Sequence, residues 1–153
     1  MAMSAGTIFI MSGDEIIMSK QSKFGPIDPQ VPNKVGRFVP AQAIMTAIKD
    51  IQERGQEALN VGKQPNWTDI QILKNIEARE IGIALSASNH SIQITKEFLE
   101  NYKFRSWSIH NSNQNPVTPD ERKKRASEIA SDLCSHEKWK DHGHFIDRED
   151  AWN

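Results

Sequence analysis

Three groups of side chains in this chain could do chemistry: a serine near the start, two lysines, and a C-terminal set of sulfur and imidazole. The serine is Ser4, in Ala2-Met3-Ser4-Ala5-Gly6, inside an apolar run that ends at Asp14-Glu15. A serine hydroxyl becomes a nucleophile when a neighbouring base takes its proton. At a helix start it would also stand beside free backbone N–H groups, which stabilise the oxyanion of a tetrahedral intermediate. The same position suits an N-cap, whose side chain bonds the first turn of the helix, and spacing alone favours the cap. The C-terminal set is Cys134, His136, His142 and His144, four zinc-compatible side chains within eleven residues. Their Cys-x-His and His-x-His spacing is not that of a looped zinc site, and no Cys-x2-Cys pair exists, so no metal is expected.

These residues need elements to position them. Ser4 to Ser12 is apolar on nearly every side and reads as a short buried helix. Glu15-Ile16-Ile17-Met18 reads as a brief strand. Residues 20–40 hold four of the seven prolines (26, 29, 32 and 40) and are expected to be loop or extended chain. Pro40 suits the first position of a helix whose apolar stripe is Ala41, Ile44, Met45, Ile48 and Ile51, with Gly55 or Asn60-Val61-Gly62 ending or fraying it. A second helical region runs from Trp67 toward Tyr102, with a kink or break expected at Gly82 or in the polar 86–91 cluster. Thr118-Pro119-Asp120-Glu121 is a capping box with proline at N1, and it opens a third helix to about Cys134. The tail after Trp139 reads as irregular, and the four tryptophans as anchors for helix ends and tail. A single strand at 15–18 cannot make a sheet, because its backbone groups would lack partners. Either the chain is all-helical, or the strands that pair with 15–18 lie outside it.

Composition narrows the function classes. The chain has 153 residues, 37% of them apolar, and a net charge of −1, which fits one globular domain rather than disorder. Its one basic run, Arg122-Lys123-Lys124-Arg125, has acidic neighbours in Asp120, Glu121 and Glu128 and reads as a solvated helix face, so no nucleic acid is expected as a partner. The apolar start lacks the basic head and cleavage site of a signal peptide, and no apolar window is long enough to span a bilayer, so no membrane anchor is expected in this chain. Its single cysteine allows no intrachain disulfide and suits a reducing compartment. The expected location is cytoplasmic, with any membrane association made through partners.

Three stretches then line up: Ala2-Met-Ser-Ala-Gly-Thr7 followed by Asp14-Glu-Ile-Ile-Met18; Phe24-Gly-Pro-Ile-Asp-Pro-Gln30; and Trp139-Lys-Asp-His-Gly-His144-Phe-Ile146. Together they resemble the serine dehydrogenase proteinase family, Clp/crotonase-fold serine peptidases related to signal peptide peptidase A and to the stomatin-operon partner proteases. The resemblance covers nearly the whole chain but only the C-terminal part of such a protein. It implies an N-terminally truncated, mostly helical α/β chain with one or two short strands. This would be a single, incomplete domain: nucleophile helix, strand and Gly-Pro loop over 1–40, helices over 40–135, and an irregular tail over 136–153.

The resemblance also implies roles for particular residues. Ser4 would attack the peptide carbonyl and the Ala5 N–H would help hold the oxyanion. Phe24, Gly25, Pro26 and Asp28 would lie in the loop lining the substrate cleft. The histidine of the family's loop is replaced here by Gln21, whose amide is no proton acceptor near neutral pH. The base lysine would be Lys49, in Val39-Pro-Ala-Gln-Ala-Ile-Met-Thr-Ala-Ile-Lys49, with Lys20 a weaker candidate. Burial beside the apolar stripe would favour the neutral amine that a base requires; an ordinary stripe-edge lysine is the plainer reading. The implied activity is peptide-bond hydrolysis through an acyl-serine intermediate, without a cofactor. The implied partners are a peptide or protein substrate and a further copy or a full-length homologue. A catalytically inactive remnant that acts as an interaction module is the alternative, and a small zinc protein a third.

Overall fold

In a computed structural model of the chain, residues 1–139 and 144–152 are described, with the backbone alone at 136, 137 and 152. The helices are α1 (Ala5–Met11), α2 (Ala41–Asn60), α3 (Trp67–Asn75), α4 (Ala78–Phe98), α5 (Pro119–Leu133), α6 (His136–Trp139) and α7 (Arg148–Trp152). A π-helical turn, Leu99–Lys103, follows α4 directly. Strands β1 (Gln30–Pro32) and β2 (Phe38–Pro40) form an antiparallel two-stranded sheet. The described chain is thus mostly helical with one small sheet.

Contacts divide the chain into two compact units, Met1–Asp28 with Asn89–Asn153, and Pro29–Ser88. The first unit has a core of Met11, Phe24, Ile27, Leu99, Leu133 and Ile146, closed by Ala126 and Ala130 on α5. Small residues at 126 and 130, one turn apart, bring the α5 backbone close to that core. The capping box of α5 is present in both directions. The Glu121 N–H donates to Thr118 Oγ1 at 3.2 Å, and the Thr118 N–H donates to Glu121 Oε2 at 2.7 Å. The Thr118 N–H, and after it the Thr118 hydroxyl, which also donates to Glu121 Oε2 at 2.8 Å, hold the Glu121 carboxyl below its ordinary pKa, with His110 adding to the effect.

The second unit is organised around Val31, Ala41 and Ala84, with Val39, Ile44, Met45 and Ile83 packed against them. Register in the sheet pairs Gln30 with Pro40, Val31 with Val39 and Pro32 with Phe38. The Asn33 N–H donates to Arg37 O at 2.8 Å. Ladder bonds alternate along an antiparallel pair, so Pro32 and Pro40 fall where no N–H is required. Arg54 of α2 donates two hydrogen bonds to Asp69 of α3, Nε to Oδ2 at 3.0 Å and Nη2 to Oδ1 at 2.8 Å. This guanidinium holds the Asp69 carboxyl below its ordinary value.

Several expectations are corrected. Glu15–Met18 is extended but is not a strand of any sheet. Residues 20–40, read as loop or extended chain, are so, but their extended parts at 30–32 and 38–40 pair into a hairpin that the reading did not foresee. Pro40 is the N-cap of α2 rather than its first residue, and Gly55 lies inside α2, which ends at Asn60, in the Asn60-Val61-Gly62 stretch expected to stop it. The long helical region breaks at Ile76-Glu77, not at Gly82, which lies inside α4. The tail is partly helical, in α6 and α7.

Candidate active site

Ser4 stands at the turn between an extended residue pair and α1. Ala2 forms a parallel bridge with Phe24, and Phe24 forms an antiparallel bridge with Ile146 on its other side. The Ala2 N–H donates to Lys23 O at 3.2 Å and the Gly25 N–H to Ala2 O at 2.8 Å. Phe24 and Ile146 exchange both main-chain bonds, at 3.1 and 2.7 Å. These bonds fix the chain on the N-terminal side of Ser4. On the other side Thr7, fully buried, donates its hydroxyl to Gly25 O at 2.7 Å. The 23–25 segment therefore grips the chain both before and after the serine.

Between these two anchors the backbone has to reverse, and it does so at Ser4, with φ 46° and ψ −106°. A positive φ is uncommon for a residue with a Cβ. An N-cap ordinarily has extended backbone, with its side-chain oxygen bonded to the first turn. Ser4 has neither feature: its backbone is left-handed, and its side chain makes no capping bond. The residue is half-buried and Ala5 is exposed. Two small residues allow the turn: a Cβ placed on Gly6 would lie 3.2 Å from the Ala2 Cβ. The small-x-Ser-x-small pattern of Ala2, Ser4 and Gly6 is visible in the sequence, but nothing there shows that its two ends meet across a turn. Gly25 is equally constrained, since a Cβ there would lie 2.5 Å from Met3 Sδ.

The first unit also holds an open cleft of about 540 Å³, whose lining includes Ala2, Phe9, Ile16, Ile17, Met18 and Phe24. Ser4 does not line it, but Ala2 and Phe24, the bridged pair that leads into the serine turn, do. Of the loop residues expected at the cleft, Phe24 lines it. Gly25, Pro26 and Asp28 are buried, and Asp28 lies near enough to Cys134 to act on its thiol.

The structure thus brings together Ser4, Ala5, Phe24 and Gly25 in the first unit. Lys49 lies on α2 in the second unit and is exposed, so the burial on which a neutral amine was expected there is not present. Lys20, the weaker candidate, is in the first unit and is also exposed. Cys134 is half-buried against the first unit's core, and burial pushes its thiol up to about 12, with a bond to Thr95 opposing the rise and Asp28 adding to it. It is a neutral core group near pH 7. Among the described residues no three His, Cys, Asp or Glu side chains are placed to hold a metal ion. His142 and the side chain of His136 lie outside the described residues, and the His144 ring lies tilted by 37° against that of Trp139, 5.1 Å between ring centres. Among the described residues no helix is long and apolar enough to cross a membrane.

Comparison of the chain with models of known families, with curated proteins and with solved structures finds no match.

Proposed function

We propose that Ser4 is the nucleophile of a serine peptidase-like centre, and that the chain represents the C-terminal part of a Clp/crotonase-like scaffold. The observation that carries this reading is the Ser4 backbone. A non-glycine residue in a sparsely populated conformation costs about 1 to 3 kcal/mol and is found disproportionately at active sites. Capping, the ordinary reason for a serine at a helix start, does not account for it. A sharp, strained turn that leads an extended segment into a helix is how α/β-hydrolases, a different fold, expose a nucleophilic serine hydroxyl.

The reaction would run through two displacements. Ser4 Oγ attacks the carbonyl carbon of the scissile peptide while a base takes the hydroxyl proton. The C–N bond then breaks, the proton passes to the departing amine, and an acyl-serine ester remains. Water attacks that ester, releases the acid and restores the hydroxyl. The donor that the family resemblance assigns to the oxyanion is the Ala5 N–H, and loss of one such donor costs about 100- to 1000-fold in turnover. With seven residues, α1 brings a weak dipole, so this single N–H matters more than the helix field. Ser4 and Lys49 belong to different units, and the reading rests on Ser4 alone.

A fluorophosphonate probe tests it, because the probe phosphonylates an activated serine and little else. Label is expected on the wild-type chain, mapped by mass spectrometry to Ser4, and absent from Ser4→Ala. A folded wild-type sample that takes no label would leave the interaction-module reading in its place.

A further inference from the structure

Residues 15–18 are shaped like a strand and have no partner. Ile16 and Met18 pack against the first unit's core, while Ile17 between them is 91% exposed. Among the described residues no main-chain N–H or C=O of Glu15–Met18 is hydrogen-bonded. The segment is nonetheless held at both ends. Arg105 Nη2 donates to Asp14 Oδ1 at 3.0 Å, and Lys103 Nζ to Asp14 O at 3.4 Å. Beyond Met18, the Ser22 N–H donates to Ser19 O at 3.1 Å, and the Ser19 N–H to Ser22 Oγ at 3.0 Å. The extended shape is therefore set in advance, which lowers the ordering cost of binding. The segment also lines the open cleft, together with Met1 and Phe9, which are 83% and 78% exposed.

A row of unpaired backbone donors and acceptors is a template for one kind of occupant, an extended polypeptide. The order of side chains narrows that choice. The segment runs from acidic (Asp14, Glu15) through apolar (Ile16, Ile17, Met18) to basic (Lys20), and Glu15 and Lys20 are both exposed. Two copies laid antiparallel set the acidic end of each toward the basic end of the other, with the exposed Ile17 of each copy on the same face of the pair. A parallel arrangement sets like charge against like. Opposite charges across a strand pair attract and like charges repel. We propose that residues 15–18 of two copies of this chain pair antiparallel across a two-fold axis, making a continuous two-stranded ribbon that covers Met1, Phe9 and Ile17. This inference does not depend on the chemistry of Ser4.

Four residues from each copy make a short ladder, so the dimer depends on concentration. Sedimentation velocity of the full chain over a dilution series is the measurement, combined with hydrogen exchange at the amides of Ile16, Ile17 and Met18. The expected result is a monomer–dimer equilibrium in which those amides become protected as the dimer fills. Ile17→Pro removes a donor from the middle of the ribbon and abolishes dimer and protection together. Glu15→Lys alone, or Lys20→Glu alone, raises the dissociation constant about tenfold, because two symmetric charge pairs turn repulsive. The double variant Glu15→Lys/Lys20→Glu restores the wild-type constant. A chain that stays monomeric overturns the proposal, as does a dimer that survives Ile17→Pro or a double variant that is not rescued. Protection induced only by an added valine-threonine heptapeptide would show that the occupant is a foreign strand, and would equally overturn it.

Discussion

Two short extended segments of this chain meet opposite fates. Residues 30–40 contain two strands that pair, although each ends in a proline. Residues 15–18 carry two isoleucines and pair with nothing among the described residues. Strand propensity ranks them the other way, since isoleucine favours strands and proline is depleted there. The difference lies in the turn at the end of each segment. After β1 comes a tight turn in which Asn33 Oδ1 accepts from the Val35 and Arg37 N–H groups, at 3.1 and 2.9 Å. Gly36 completes that turn with φ 78°. The turn delivers β2 alongside β1 at once. After Met18 comes the Ser19–Ser22 turn, and the chain beyond it pairs elsewhere: Phe24 bridges Ala2 on one side and Ile146 on the other. A segment becomes a strand when a turn brings it a partner, and apolar content does not replace that turn.

The comparison can be broken most directly at Val31. It is 3% exposed and packs among Ala41 and Ala84. Val31→Ala is expected to cost about 2 kcal/mol, read as a lower urea midpoint at unchanged m-value. A midpoint that does not move would mean that the hairpin's packing contributes nothing to the second unit, and the contrast with 15–18 would fail.

A smaller effect sharpens the contrast between two of the left-handed turn residues, Gly36 and Ser4. The hairpin uses glycine, Gly36, and no atom lies within 4 Å of where its Cβ would be. Gly36→Ala therefore meets only the conformational penalty, about 1 kcal/mol or slightly more. The turn before α1 uses Ser4 at φ 46°. Ser4→Gly relieves strain, less the added freedom of the unfolded chain, for a net gain of about 1 kcal/mol. The two substitutions should thus shift thermal midpoints in opposite directions, and Ser4→Gly should lose fluorophosphonate labelling as it gains stability. A Ser4→Gly chain less stable than wild type would remove the strain on which the functional reading rests.

Legibility in the sequence divides along the same line, between local and distant causes. The α5 capping box is legible because all its partners lie within four residues. The starts of α1 and α3 and the stripe of α2 are legible from spacing for a similar reason. Gly55 suggests a stop that does not occur: helix-forming neighbours carry α2 through it at a cost of about 1 kcal/mol. The hairpin is hidden by its prolines, whose harmlessness emerges only once the register places them where no N–H is needed. At the candidate site the identity of Ser4 and its position at the head of a helix are readable. Its left-handed backbone is not, because that is imposed by Lys23 and Gly25, some twenty positions away, through bonds to Ala2 and Thr7. The exposure of Lys49 is likewise not readable, since spacing places a residue at the edge of a stripe without saying what covers that edge.

The smallest expected effect belongs to Ile17, and it bears most directly on the contrast between 15–18 and the hairpin. The side chain is apolar, β-branched and sits in the most strand-like run of the sequence, so propensity alone would make Ile17→Lys costly. With 91% of the residue already in water, the substitution removes almost no buried surface. Surface changes of this kind stay within about 0.5 kcal/mol. The midpoint of urea unfolding, measured dilute enough that only the monomer is present, should match wild type within error. Equal loss from Ile17→Lys and Val31→Ala under those conditions would mean that 15–18 is a paired strand after all. A difference between them that shrinks as concentration rises would instead place the missing stabilisation of Ile17 in contact between copies.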